Sequence, residues 1–241
     1  MTEDQGKPAV DWGAIAKLAG GLAHEIKNPL STINVNLQLL EEEMAEPQTA
    51  REKRAARKVK ALRSEVQRLS HILEDFLRFM RLGTLELEPT DLNDLAAEIV
   101  EFVEPKLARL DIRLRKQFEP DLPTCLADPR LLKQAILNVI LNAQEAMPEG
   151  GELILRTSSR DRRVTVDVID TGPGVSDDVR DRMFDAFFST KEEGSGLGLA
   201  LTRQIIDQHG GDVELQSELG KGTHFVIRLP AHESSTEPEA R

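Results

Sequence analysis

The sequence predicts an α+β chain. A long helical hairpin, paired with a second copy as a four-helix bundle, leads into a two-layer α/β sandwich with a mixed sheet and helices on one face. Three observations carry this. Apolar residues between positions 11 and 82 recur at spacings of three and four. A short polar turn divides that stretch. From about Leu87 the pattern changes to shorter helices interleaved with strand-like runs.

In the first helix Ile15, Leu22, Ile26, Leu30, Ile33, Leu37, Leu40 and Met44 keep helical spacing. In the second, Val59, Leu62, Val66, Leu69, Leu73, Phe76 and Met80 alternate threes and fours, which is a heptad seam. The first helix spans about 36 residues, roughly 54 Å, a length that suits a coiled coil or bundle. The turn at Glu46-Pro47-Gln48-Thr49 is short, so the two helices lie antiparallel. Two helices alone cannot bury both seams, whereas two hairpins together can, and this predicts a homodimer. Glu41, Glu42, Glu43 and Glu46 close the first helix; Arg51, Lys53, Arg54, Arg57 and Lys58 open the second. They read as facing, solvated charge runs.

The second part begins with a helix over Leu92–Leu110, capped by Thr90 or Asp91. A strand follows at Ile112–Phe118, then an apolar helix at Pro129–Met147. Gly151–Thr157 and Arg163–Asp170 read as paired strands, the second alternating Val164, Val166 and Val168. A helix at Leu197–His209 stops at Gly210-Gly211, and Asp212–Ser217 and Thr223–Leu229 are the last strands. The expected organisation is a flexible N-terminus (1–10), the hairpin (11–86), the sheet domain (87–231) and a polar, disordered tail (232–241).

Composition narrows the function. The 241 residues are 39% hydrophobic and 30% charged, with a formal net charge of -11. Such an acidic body repels nucleic-acid phosphate, so no nucleic-acid partner is expected. No apolar run approaches the ~20 residues of a membrane span, and the N-terminus lacks the pattern of a signal peptide. These features predict a cytoplasmic location, either standalone or as the cytoplasmic part of a longer protein. Cys125 is the only cysteine and reads as a small core residue.

Chemistry concentrates in five places. His24 lies two residues from both Leu22 and Ile26, so at ~100° per residue it points roughly 200° away from the seam. An exposed imidazole is a competent nucleophile near neutral pH, and the neighbouring Glu25 offers a carboxylate to take a ring proton. Pro29 removes a helix hydrogen bond one turn further on. On the helix of residues 131–147, Gln134, Asn138, Asn142 and Glu145 form a polar stripe. It suits either satisfied buried amides or a cleft where amide oxygens meet a hard cation and phosphates. Asp170-Thr171-Gly172-Pro173-Gly174 ends a buried strand, where a carboxylate can accept the amino hydrogens of a purine. Met183 through Lys191 holds Phe184, Phe187 and Phe188, which suit core packing or a lid. Gly194-Ser195-Gly196-Leu197-Gly198-Leu199 feeds a helix N-terminus that offers free amides to phosphate. It is not a Rossmann turn, because charged Lys191-Glu192-Glu193 precedes it instead of a buried strand.

His24-Glu25-Ile26-Lys27-Asn28-Pro29-Leu30 resembles the H box of sensor histidine kinases. The later segments, in order, resemble the family's N box, first glycine box, F box and second glycine box, with Gly220-Lys221-Gly222-Thr223 a weaker third. The resemblance spans residues 12–230. It implies a Bergerat-type ATP-binding domain behind a phosphoacceptor hairpin. His24 would be the phosphoacceptor, Glu25 the acid/base, and Asn28 a water-positioning residue in dephosphorylation of the partner. Asn142 would be a magnesium ligand, with Asn138 at the metal or the phosphates. Asp170, Gly172, Gly174, Phe184, Lys191, Gly194, Gly196, Leu197 and Gly198 would frame ATP. The implied activity is ATP-dependent phosphorylation of His24, followed by transfer to an aspartate of a response regulator receiver domain, under an upstream sensor domain or protein. Two other readings stay open at this point. A plain ATPase of the same fold predicts activity indifferent to His24→Ala. A silent dimerising scaffold, or a partner-protein phosphatase, predicts ATP binding without phosphorylation.

Overall fold

The computed structural model describes residues 12–80, 84–191 and 194–232, with side chains from Glu25 onward. The expected flexible N-terminus, the tail beyond His232 and the direction of the His24 ring therefore lie outside the described residues. The chain divides into two compact units, one of residues 1–82 with 191–195 and the other of residues 83–190 and 196–241.

The first unit is the hairpin α1 (Trp12–Glu43) and α2 (Ala50–Met80), with Pro29 inside α1. The start of α2 carries a reciprocal cap. The Thr49 hydroxyl accepts the Glu52 amide at 3.2 Å, and the Glu52 carboxylate accepts the amides of Thr49 and Gln48 at 3.0 and 2.7 Å. Those amides hold the Glu52 carboxyl below its usual range. Glu41 pairs with Arg63 and Lys27 with Glu74 across the hairpin, while the basic run from Arg51 to Lys58 stays exposed.

The seam expected on each helix resolves into two faces. Leu37 and Val59 are buried, and Leu30, Met44, Val66 and Leu73 are half-buried, so these members pack α1 on α2. The alternate members Ile26, Ile33 and Leu40 on α1, and Leu62 and Leu69 on α2, are 40–57% exposed. Each set repeats every seven residues, so each forms a continuous stripe along its helix.

The second unit holds a five-stranded sheet of β2 (Ile112–Phe118), β4 (Gly151–Arg160), β5 (Arg163–Asp170), β6 (Asp212–Glu218) and β7 (Gly222–Pro230). The order is β2-β4-β5-β7-β6, with β2 parallel to β4 and the other pairs antiparallel. Alternate residues Leu153 and Leu155, Val164, Val166 and Val168, and Phe225, Ile227 and Leu229 are almost fully buried. They meet Ile99 and Leu107 of α3 (Leu92–Arg109), Leu132, Ile136 and Ile140 of α4 (Pro129–Glu145), and Ile205 and Ile206 of α6 (Gly198–Gln208). The opposite face carries polar pairs such as Arg156–Asp167 and His224–Asp167.

Three short elements were not expected from the sequence. They are β1 (Glu88–Thr90), its antiparallel partner β3 (Cys125–Ala127), and α5 (Asp177–Arg182). Strands of three residues are too brief to show alternation, and α5 has no buried face to impose a period. Asp91 caps α3 by accepting the amides of Asn93 and Asp94, and Asp128 caps α4 by accepting that of Leu131. Cys125 is fully buried in β3, and burial pushes its thiol up to about 11.

Candidate functional site: a buried aspartate and a glycine-rich helix start

Helices α4 and α6 are joined where the polar stripe meets the glycine loop. Asn138 donates its amide nitrogen to the carbonyl of Gly198 at 3.1 Å, and the Thr202 hydroxyl reaches the same carbonyl at 3.0 Å. One turn along α4, Asn142 donates to the carbonyl of Asn138 at 3.0 Å. Both asparagines are half-buried, so the stripe lies at the margin of the core. Both amides hold backbone, and that of Asn138 ties α4 to the first residue of α6.

That beginning is built to be open. Leu197, buried at 1% exposure, anchors the loop, and its own side chain, at the N-cap position of α6, makes no cap hydrogen bond. A Cβ added at Gly198 would meet nothing within 4 Å. Gly196 has φ +68°, and a Cβ there would fall 2.5 Å from the backbone of Phe187, so only glycine fits without displacement. The Phe187 amide donates to the Gly196 carbonyl at 3.1 Å, lacing the phenylalanine segment to the glycine loop. A helix start directs its first N–H groups and positive potential outward, the physical requirement for holding phosphate.

Asp170 ends β5 at 3% exposure. One carboxylate oxygen accepts the amides of Gly172 at 2.9 Å and Thr223 at 3.2 Å. Burial nonetheless raises its carboxyl above the usual range, and these hydrogen bonds only partly offset it. Gly174 closes the loop that follows. A buried, oriented carboxylate at a strand end is a strong acceptor for an exocyclic amine.

Phe184 packs edge-on against buried Phe225, with ring centroids 6.4 Å apart, and the Arg203 guanidinium lies 5.8 Å from the Phe184 ring. Phe184 is thus an anchor of its segment, whereas Phe187 is exposed. Lys191 is exposed, and its carbonyl accepts the Gly194 amide at 3.3 Å. The second unit therefore holds Asn138, Asn142, Asp170, Gly172, Gly174, Phe184, Gly196, Leu197 and Gly198, with Asn138 on the Gly198 carbonyl and Asp170 on the Gly172 and Thr223 amides. His24, Glu25 and Asn28 lie on α1, where Glu25 and Asn28 are exposed and the Asn28 carbonyl accepts the Thr32 hydroxyl at 3.2 Å. Thr223 and Ser217 were not among the expected site residues. Gly220-Lys221-Gly222 ahead of a strand pointed to Thr223; nothing local pointed to Ser217.

Comparison with known proteins agrees with this geometry. Residues 14–85 match the His Kinase A (phospho-acceptor) domain, and residues 127–233 match the histidine kinase-, DNA gyrase B- and HSP90-like ATPase domain. The catalytic domain of histidine kinase ThkA is 30% identical; the alignment covers 61% of this chain and 96% of that one, with a TM-score of 0.56. The chain belongs to the sensor histidine kinase family. Within the family, sensor histidine kinase ZraS of Escherichia coli K12 is 34% identical over 99% of this chain and 50% of its own. Full-length ShkA, solved in complex with AMPPNP, is 34% identical with a TM-score of 0.72, covering 90% of this chain and 46% of that one. The chain spans about half the length of curated relatives such as ZraS. No helix among the described residues is long and apolar enough to cross a membrane.

Proposed function

We propose that the chain is an ATP-dependent autokinase that phosphorylates His24 and passes the phosphoryl group to an aspartate of a response regulator. The observation that carries this is the presence, in one chain, of a histidine within a matched phosphoacceptor domain and, in the second unit, of a buried strand-end carboxylate and a glycine-fed helix start. ThkA, a neighbour of the same fold, has been solved in complex with the response regulator protein TrrA, at 26% identity and a TM-score of 0.65. That supports a receiver domain as the partner class.

In this reading Asp170 accepts the adenine amino group, and Gly172 and Gly174 let the backbone approach the ring. The amides at the start of α6, with Gly194, Gly196, Leu197 and Gly198, receive the phosphates, and Lys191 adds a positive charge there. Asn142, with Asn138 beside it, would hold magnesium. Their amide oxygens would be hard donors of the kind magnesium takes alongside phosphate oxygens and water. When bound, the ion neutralises charge developing on the phosphates. A ring nitrogen of His24 attacks the γ-phosphorus, the bond to the bridging oxygen breaks, and ADP leaves. Glu25 takes the ring proton, and Asn28 orients water when the partner is dephosphorylated. Positioning and charge compensation supply most of the rate.

The exposed stripes of Ile26, Ile33, Leu40, Leu62 and Leu69 support a homodimer in which a second hairpin covers them. Incubation with γ-labelled ATP and magnesium tests the proposal. The expected label is acid-labile and absent from His24→Ala. Label that persists in that variant rejects the autokinase reading.

A further inference from the structure

We infer that Ser217 is a positioning residue for the base-binding end of the nucleotide site. The inference rests on the reading of Asp170 as the adenine acceptor.

Two pieces of irregular backbone frame Asp170. One is the loop of residues 171–175 that follows it. The other is the turn between β6 and β7, which opens onto Gly222 and Thr223. No β-ladder runs between the two pieces; a few cross-links join them. The central link is the Ser217 hydroxyl. It accepts the amide of Val175 at 2.9 Å and donates to the carbonyl of Gly222 at 2.8 Å. A hydroxyl has one hydrogen to give and lone pairs to accept with, so this single group serves both pieces at once. A second link lies alongside, where the Gly220 amide donates to the Pro173 carbonyl at 2.8 Å.

The clasp passes directly to the carboxylate. Gly222, at φ +88°, lies so close to Asp170 that an added Cβ would fall 2.0 Å from the Asp170 carbonyl oxygen. The next residue, Thr223, donates its amide to the Asp170 carboxylate at 3.2 Å, and its hydroxyl lies 3.4 Å from that of Ser217. Ser217 therefore sets the spacing between the loop that leaves Asp170 and the strand that holds its oxygen. Alanine at this position would leave the Val175 amide and the Gly222 carbonyl without their shared partner. The carboxylate would stay in place chemically but lose its fixed direction.

The test compares Ser217→Ala, Ser217→Thr and Asp170→Asn in the full chain. It reads affinity for ADP, ATP and GDP, and KM against kcat for autophosphorylation. Ser217→Ala should weaken ADP and ATP by the same factor, about tenfold for two lost hydrogen bonds. GDP should change little, so adenine-over-guanine preference narrows. KM should rise while kcat at saturating ATP holds, and Ser217→Thr should restore the wild-type values. If Ser217→Ala does not fold, the near-isosteric pair Ser217→Thr and Ser217→Val reads the same hydroxyl. Unchanged adenine affinity, an equal loss for adenine and guanine nucleotides, or a loss confined to kcat overturns the inference. Asp170→Asn separates the two claims. If it weakens ADP while Ser217→Ala does not, the role of Ser217 alone fails. If it leaves ADP affinity intact, the adenine reading of Asp170 fails.

Discussion

The hairpin and the sheet unit are stabilised in different ways. In the hairpin Leu37 and Val59 are the buried hydrophobic residues among those described, and the outward stripes leave five large apolar side chains 40–57% exposed. In the sheet unit, side chains from α3, α4 and α6 close over β4, β5 and β7 at near-zero exposure. The sheet unit carries a complete core, whereas the hairpin carries half of one. With the proposed second copy supplying the missing face, the hairpin's stability depends on concentration. The contrast suits the division of labour proposed above. A rigid frame fixes Asp170 and the start of α6, while the histidine rides on a helix held by association.

The largest expected effect falls on association. Ile33→Glu with Leu69→Glu places charges in both outward stripes, four per dimer. At about 1.5 kcal/mol or more per side chain, the loss is on the order of 6 kcal/mol. Sedimentation should show monomers, and helical circular dichroism should fall, while ADP binding by the sheet unit persists. Dimers that survive would show that the stripes are not the interface.

Next comes Leu132→Ala, at a side chain with no exposure. It should cost the sheet unit about 2–5 kcal/mol and leave the dimerisation constant unchanged. Two calorimetric transitions, only one of them shifted, would sharpen the comparison; a joint shift would mean the units unfold together.

Asp170→Asn should separate stability from binding. Burial raises the Asp170 carboxyl from 3.8, so the folded chain holds this proton more tightly than the unfolded one does. Its contribution to stability is therefore greatest below pH 3.8 and declines as pH rises through the folded-state value. At neutral pH the ionised carboxylate works against the fold. The asparagine variant should melt higher than wild type at pH 7, with the advantage shrinking toward pH 4, while ADP affinity drops on the order of ten- to a hundredfold. A variant that melts lower at pH 7 would contradict the assignment of burial as the dominant cause. The smallest effect belongs to the α2 cap: Thr49→Ala should cost about 1 kcal/mol, read in the hairpin transition alone.

The sequence made the hairpin legible because the 3-4 repeat extends over many turns and admits no other period. It did not show that alternate members of the repeat face different partners, since inward Leu37 and outward Ile33 are equally apolar. In the second unit, strands as long as β5 announced themselves through Val164, Val166 and Val168. Three-residue β1 and β3 are too short to do so, and charged α5 has no buried face to impose a period. Asp170 and the glycine loop were readable because backbone chemistry restricts which residues can serve there. Ser217 was not. Its role arises from the pairing of Asp170 with Thr223 across β5 and β7, and of Ser217 with Thr223 across β6 and β7, a register no local pattern encodes. Asn138 was read toward phosphate and metal, and its hold on the Gly198 carbonyl is likewise a contact between helices far apart in sequence.

The central claim is that nucleotide binding and phosphoryl acceptance reside in different units of one chain. Measuring ADP affinity and acid-labile label together in His24→Ala and Asp170→Asn tests it most directly. The account predicts that His24→Ala binds ADP like wild type yet takes no label, and that Asp170→Asn is weakened in both. Label on His24→Ala, or wild-type ADP binding by Asp170→Asn, would contradict it.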